Sequence, residues 1–327
     1  MKMYPFVSIV VPFHNAKNYL PTLLEALLNQ TYPKEKYEIV FVDDGSTDGS
    51  LNVILSMIKS LSKLYNIKTL RLDKKGGPAR ARNFGIKNSR GEIIAFTDAD
   101  TIPDKNWLAE LVGGFKNSSI GGVAGKVITD FNRLLFPLRI SPVAEYVTCN
   151  IAYRKDVLME VGLFDESFKY PFREDSDLAF RVLDKGYWIA YQESALVYHP
   201  VRELKLKDFV KIIKYHSYDV LLFKKHPLRS RNLLEVCCYK FTTAGVAFVF
   251  NIMLIILFYL TFPVLTATFL VLLNFLLNTY VLFMLKKFSK SISLKERLMA
   301  TLWHELYILC TVLGHIIGSV KFKTFLL

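Results

Sequence analysis

The chain has 327 residues, 52% of them hydrophobic, with a formal net charge of +13 and four cysteines. That length admits one large domain plus further elements, and the basic balance admits phosphorylated or anionic partners. Cys149, Cys237, Cys238 and Cys310 show neither metal-ligand spacing nor an extracellular pairing pattern, which argues against a disulfide scaffold and for free thiols in a reducing compartment.

The N-terminal run MKMYPFVSIVVPF has no small-residue cleavage site and reads as a first strand rather than a signal peptide. Phe6–Phe13 is apolar on both faces, as in a parallel sheet. Asn15 is expected to open a helix through Gln30, with Leu20, Leu23, Leu24, Leu27 and Leu28 at helical spacing. Tyr37–Val42 is a second strand, ended by Asp43-Asp44-Gly45, and Thr47 or Asp48 caps the next helix. Ile67–Leu72 is a third strand, Gly76-Gly77 a turn, and Pro78 the first residue of a helix through Lys87. Glu92–Thr97 is a fourth strand. This alternation predicts an α/β fold with a doubly wound, mostly parallel sheet, whose ligands bind at the carboxyl ends of the strands.

Those ends are polar: His14-Asn15, Asp43-Asp44 and Asp98-Ala99-Asp100. Asp98 and Asp100 stand two residues apart at a strand end, so both point to one face. Two hard oxygen ligands so placed suit a divalent cation that also binds a diphosphate; the bland alternative is a solvated turn with a helix cap at Thr101 or Asp104. Neither a Gly-x-Gly-x-x-Gly fingerprint nor a Walker loop is present, which disfavours a plain dehydrogenase or ATPase.

Farther on, Gly121–Thr129 reads as a strand, 131–145 as an irregular segment over the site, and Ser176–Lys185 as a helix stopped by Gly186. Residues 203–235 carry Lys205, Lys207, Lys211 and Lys214 among Leu204, Phe209, Val210 and Ile213. That basic amphipathic pattern suits an anionic membrane surface, or a helix packed on a core, and favours a membrane over nucleic acid. Three apolar stretches follow, at about 241–260, 262–285 and 298–320, each near the ~20 residues that span a bilayer. The third contains His304, Glu305 and His315, so an interfacial or re-entrant helix is the alternative there. Basic clusters at Arg229, Arg231 and Lys240, and at Lys286, Lys287, Lys290, Lys295 and Arg297, would stay cytoplasmic. The expectation is an integral protein of the cell membrane with residues 1–202 in the cytoplasm, 203–235 at the interface and 236–327 in the membrane.

The ordered segments FVSIVVPFHN, EIVFVDDGSTDGS, GGPARARNFGI, GEIIAFTDAD, CNIAYRKDVLMEVGLFDESF, REDSDLAFRVLDKGY and ALVYHP resemble the inverting family 2 glycosyltransferases of GT-A fold. The resemblance covers about residues 6–200 and makes 1–202 the catalytic domain. It implies that Asp43 reads the nucleotide base, with Asp44 less defined, and that Pro12, Asn15, Gly76 and Gly77 line the donor pocket. Arg82 is implied on the phosphate side or as a structural ion pair, Asp98 at ribose and metal-bound water, Asp100 as a direct ligand of Mn or Mg, and His199 as completing the metal shell. Asp175 resembles the catalytic base, Glu174 would orient the acceptor, and Asn150 follows the pattern on the acceptor side.

The implied donor is a UDP- or GDP-linked sugar, and the implied acceptor a hydroxyl of a lipid-linked glycan or glycolipid. Two readings compete: a polyprenyl-phosphate sugar synthase, whose anionic acceptor needs no base, and an inactive membrane-anchored sugar-binding or assembly protein. The Gln-x-x-Arg-Trp motif of polysaccharide-synthesising relatives is missing after Asp175, which argues against a processive synthase.

Overall fold

A computed structural model describes residues 4–61, 64–129, 146–200, 208–234, 306, 309–311 and 313–324. The chain forms two compact units, Met1–Phe131 with Ala144–Arg202, and Asn132–Val143 with Glu203–Leu327.

In the first unit β1 (Val7–Phe13), α1 (Leu20–Leu28), β2 (Tyr37–Asp43), α2 (Ser50–Leu61), β3 (Asn66–Arg71), α3 (Pro78–Lys87) and β4 (Ile93–Phe96) alternate as the sequence predicts. Then come β5 (Ile102–Pro103), α4 (Trp107–Gly113), β6 (Ile120–Ile128), β7 (Ile151–Arg154), α5 (Lys155–Glu160), α6 (Glu174–Asp184) and β8 (Trp188–Tyr198). The strands join one sheet in the order β3-β2-β1-β4-β7-β6-β8-β5. The first four are parallel, with Phe13 opposite Asp43 and Val10 opposite Phe96. The sheet is mixed: four of its seven strand pairings are parallel, β6 with β8 among them, while β7 runs antiparallel to both β4 and β6 and β5 antiparallel to β8.

Both faces of the parallel half are buried, which is why β1 and β2 are apolar at nearly every position. Val7, Ile9 and Val11 pack with Leu20, Leu23, Leu24 and Leu27 of α1. Val10, Val40 and Val42 pack on the other face with Ala79, Ala81 and Ile86 of α3. The expected helix from Asn15 starts later, at Leu20, with proline at its first turn. Asn15 instead sits at φ +53° in a turn. Asparagine tolerates that left-handed backbone. Its N–H bonds to Ser46 Oγ at 3.0 Å and its Oδ1 accepts Thr47 N–H at 2.8 Å, so it ties the loop after β1 to the loop after β2.

The second unit contains α7 (Asp208–Lys225), α8 (Pro227–Leu234) and helical residues 313–322. Phe209 and Ile212 of α7 are buried with Cys310, with Leu306 and Ile213 packed against them, while Val210 is exposed. Part of the apolar stripe expected to face a membrane therefore packs inside the unit.

The assignment as an integral membrane protein is corrected. Among the described residues no helix is long and apolar enough to cross a membrane. The expected spans at 241–260 and 262–285 lie outside the described residues, as does the irregular segment 131–145. Of the third, residues 306, 309–311 and 313–320 are described, and 313–320 carries buried His315 and Gly314 against exposed Leu313, Ile316, Ile317 and Val320. It is amphipathic, and its polar group faces a partner on α7: His315 Nε2 lies 3.1 Å from Asp219 Oδ2.

Candidate active site

The carboxyl ends of β1, β2 and β4 and the start of α6 carry the polar side chains. Asp43 ends β2 fully buried. Its Oδ1 accepts Ser46 N–H at 2.8 Å, and Oδ2 is buried without a hydrogen-bond partner, 3.6 Å from Arg71 Nε. A carboxylate oxygen held in this state can accept a donor from a ligand. Asp44, next in sequence, is fully engaged: Oδ1 accepts Gly76 N–H at 2.6 Å and Oδ2 accepts Gly77 N–H at 2.9 Å. Its carboxylate fixes the glycine turn from below. Gly77 needs to be glycine there, with φ +89° and a Cβ position only 2.6 Å from the Lys169 carbonyl oxygen. Pro12 is half-buried on β1, opposite Val42.

Asp98 and Asp100 follow β4, and His199 follows β8. Their ligand atoms lie within 4.8 Å of one another, although the residues come from opposite halves of the sheet. His199 Nε2 is 3.9 Å from Asp100 Oδ2. His199 Nδ1 lies 3.1 Å from the Pro200 carbonyl oxygen, an acceptor only, so in the neutral tautomer that donates this bond Nε2 is the nitrogen left to ligate a metal. Two carboxylates and an imidazole this close together are a donor set that fits Mn²⁺ or Mg²⁺.

Arg82, buried on α3, joins this group to α6. Its Nη2 donates to Asp98 Oδ1 at 2.9 Å and its Nη1 to Glu174 Oε1 at 2.8 Å. Burial opposes its charge, but Asp98 and Glu174 outweigh burial and hold the guanidinium above its ordinary pKa. Of the two alternatives raised for Arg82, the structural ion pair is the one seen, and one of its partners, Asp98, belongs to the candidate metal-ligand group.

α6 begins at Glu174 after Arg173, whose φ is +73°. Glu174, Asp175 and Asp177 fill its first turn, where the helix dipole favours negative charge. They divide the work. Asp177 Oδ2 accepts Arg181 Nε–H at 2.9 Å, one turn along the helix. Glu174 is buried on Arg82, and burial first, then Asp175, pushes its pKa up to about 7. Asp175 is half-buried, and its Oδ1 accepts Ser176 N–H at 2.8 Å. Burial raises its pKa and Asp98 adds to that, against lowering by the Ser176 hydrogen bond, Arg82 and Arg173.

Asn150 lies inside the protein rather than on an open acceptor face. Its Oδ1 accepts Trp107 Nε1–H at 2.8 Å, and its Nδ2 donates to the Lys126 and Ala195 carbonyls at 2.9 Å each. It locks β6 and β8 to α4. Cys149, expected from the sequence only as a free thiol, is a free, buried thiol within electrostatic reach of the carboxylates. Burial, then Asp98, Asp175 and Asp100, hold it well above its ordinary pKa, so it stays a neutral thiol. Its carbonyl accepts the Thr97 hydroxyl at 3.1 Å, which ties the segment after β4 to the segment before β7. The only sequence signal for it was its place at the start of CNIAYR.

Comparison with known proteins agrees with this architecture. The profile "Glycosyl transferase family 2" matches residues 8–140, and "Glycosyl transferase family group 2" matches residues 93–285, more than half of the chain. The chain belongs to glycosyltransferase family 2 and is a glycosyltransferase enzyme, so the reading as an inactive assembly protein is set aside. It is 33% identical over 222 residues to glycosyltransferase AglE of Haloferax volcanii, covering 63% of this chain and 71% of that protein.

It is also 33% identical over 132 residues to a dolichyl N-acetyl-α-D-glucosaminyl phosphate 3-β-D-2,3-diacetamido-2,3-dideoxy-β-D-glucuronosyltransferase of Methanococcus voltae, covering 37% of this chain and 40% of that one. In fold it is similar to the mannosyltransferase PcManGT of Pyrobaculum calidifontis, solved with GDP-Man and Mn²⁺. The TM-score is 0.69 at 20% identity, over 96% of this chain and 88% of the other.

Proposed function

We propose that this glycosyltransferase transfers one sugar, with inversion, from a nucleoside-diphosphate donor to a hydroxyl of a lipid-linked glycan or glycolipid. The observation that carries the proposal is the convergence of Asp98, Asp100 and His199 beside the Arg82–Glu174 pair, with Asp175 next to Glu174 in the first turn of α6. The buried Oδ2 of Asp43, which has an ion-pair neighbour in Arg71 but no hydrogen-bond partner, supports its role as acceptor for a base N–H. Asn15 and the Gly76-Gly77 turn would wall the donor, with Asp44 holding that turn.

Asp98, Asp100 and His199 would hold Mn²⁺ or Mg²⁺, which offsets diphosphate charge as the leaving group departs. Asp175 takes the proton from the acceptor hydroxyl as that oxygen attacks the anomeric carbon. Burial raises the pKa of the Asp175 carboxylate, which makes its ionised form a stronger base. Glu174, fixed by Arg82, positions Asp175. The lipid-linked acceptor draws support from the dolichyl N-acetyl-α-D-glucosaminyl phosphate for which the Methanococcus voltae relative is named.

The test is transfer from a panel of nucleotide sugars to lipid-linked and free glycan acceptors, with the product's anomeric configuration read by NMR. Inverted product, formed only with added Mn²⁺ or Mg²⁺, is expected. Retained configuration, or full turnover in chelator, contradicts the proposal.

A further inference from the structure

We propose that His216, Asp219 and His315 form a second divalent-metal site, separate in residues from the donor site and suited to a borderline ion of the Zn²⁺ class. α7 supplies His216-x-x-Asp219, two side chains one turn apart and on one face. Helical residues 313–322 supply His315. Two glycines bring that helix against α7. A Cβ on Gly314 would lie 2.6 Å from the Ile213 carbonyl oxygen, and one on Gly318 2.5 Å from the Ser217 carbonyl oxygen. Only glycine permits backbones to approach so closely. The result is a fixed helix crossing, with His315 delivered onto the His216–Asp219 face.

All three side chains are buried: Asp219 is 0% exposed, His216 6% and His315 7%. One carboxylate oxygen, Asp219 Oδ2, meets both rings, His216 Nδ1 at 2.7 Å and His315 Nε2 at 3.1 Å. The three ligand atoms lie within 4.8 Å of one another. The other nitrogen of His315, Nδ1, is buried without a hydrogen-bond partner, while its Nε2 meets Asp219 and its ring packs edge-on against His216. Burying a carboxylate costs several kcal/mol unless it is well compensated. Two imidazoles and one carboxylate are a ligand set that zinc takes with a fourth position open.

Zinc–ligand bonds of about 2.0–2.2 Å in a tetrahedron imply ligand separations of roughly 3.3–3.5 Å. The contacts seen here are shorter, so the rings must draw back by about half an ångström around an ion. Metal binding also requires the ligating nitrogens to be proton-free, with each ring's remaining proton on its other nitrogen.

The test uses the purified full chain, stripped with chelator and dialysed against micromolar free Zn²⁺, with bound metal counted, and Co²⁺ as a visible-spectrum probe. Asp100→Ala, which disables the donor site, is expected to keep one zinc equivalent and to give tetrahedral Co²⁺ bands. In that background His216→Ala and His315→Ala are expected to lose both signals with circular dichroism unchanged. An Asp100→Ala chain that binds no zinc overturns the proposal and leaves a proton-linked His–Asp–His contact. So does zinc retained in His315→Ala, or Co²⁺ bands that are octahedral. If the alanine variants fail to fold, the Asp100→Ala chain alone decides through its zinc count and Co²⁺ spectrum. Its failure leaves the donor-site reading untouched, because that reading rests on other residues.

Discussion

Replacing Arg82 with methionine should destabilise the first unit more than any surface change, by an amount that depends on pH. Arg82 is buried between Glu174, whose side chain is 3% exposed, and Asp98, whose side chain is 32% exposed. Methionine fills similar volume but leaves Glu174 without its cation. Breaking a buried pair in this way costs about 3–5 kcal/mol. For a unit of this size each kcal/mol moves Tm by roughly 2–4 °C, so a fall of about 6–20 °C is expected.

The pH dependence follows from Glu174. Its folded pKa is about 7 against an ordinary 4.5, so between those values the folded state binds more protons than the unfolded chain. Its stabilising contribution is complete below that window and is lost as pH rises through it. Arg82 lowers this pKa, and removing Arg82 pushes it higher still. The variant's deficit should therefore be smallest near pH 5 and largest near pH 8. Melting followed by near-UV circular dichroism across that range is the assay. A variant within about 1 kcal/mol of the native chain at pH 8, or a deficit that does not change with pH, refutes the reasoning.

Other outcomes follow from the same geometry. Asp100→Ala should abolish Mn²⁺-stimulated transfer, and His199→Gln should raise the Mn²⁺ needed for half-maximal rate; a Mn²⁺ titration of activity reads both. Gly77→Ala meets a left-handed φ and the Lys169 carbonyl together, so it should cost more than about 1 kcal/mol, measured by denaturant midpoint. Asp43→Asn should weaken nucleoside-diphosphate binding in calorimetry with little loss of stability, because its Oδ2 has no hydrogen bond within the protein to lose.

The parallel half of the sheet was legible because β1, β2 and β4 are short apolar runs that end abruptly in polar residues. The same ends exposed Asp43, Asp98 and Asp100 as candidates. Of the other half only β6 was legible, expected at Gly121–Thr129 and found at Ile120–Ile128. β7 has four residues and pairs with strands distant in sequence, and β8 is long, with exposed and half-buried positions through most of its length. Neither gives a strong local pattern.

Sequence could not separate Asp43 from Asp44, since only the glycine turn 32–33 residues later decides that Asp44 is fully engaged. Asn150 stood in a recognised motif, but its partners on α4, β6 and β8 are long-range. The apolar C-terminal pattern was read by hydropathy as membrane spans, whereas His315 faces a carboxylate on α7. Hydropathy averages over a window and does not see which face a polar residue occupies.

The central claim is that Asp175 is the base in a displacement by a neutral hydroxyl, and Asp175→Asn tests it most directly. Asparagine keeps the size and can still accept the Ser176 N–H through its carbonyl oxygen, but it cannot take a proton. Nucleoside-diphosphate binding should be retained, while kcat falls by about 10²–10⁴, the usual loss on removing a general base. In the native enzyme, turnover should fall on the acid side as Asp175, with its raised pKa, becomes protonated. Near-native kcat in a folded Asp175→Asn enzyme that binds donor normally would contradict the account and point to an acceptor that is already anionic, such as a lipid phosphate.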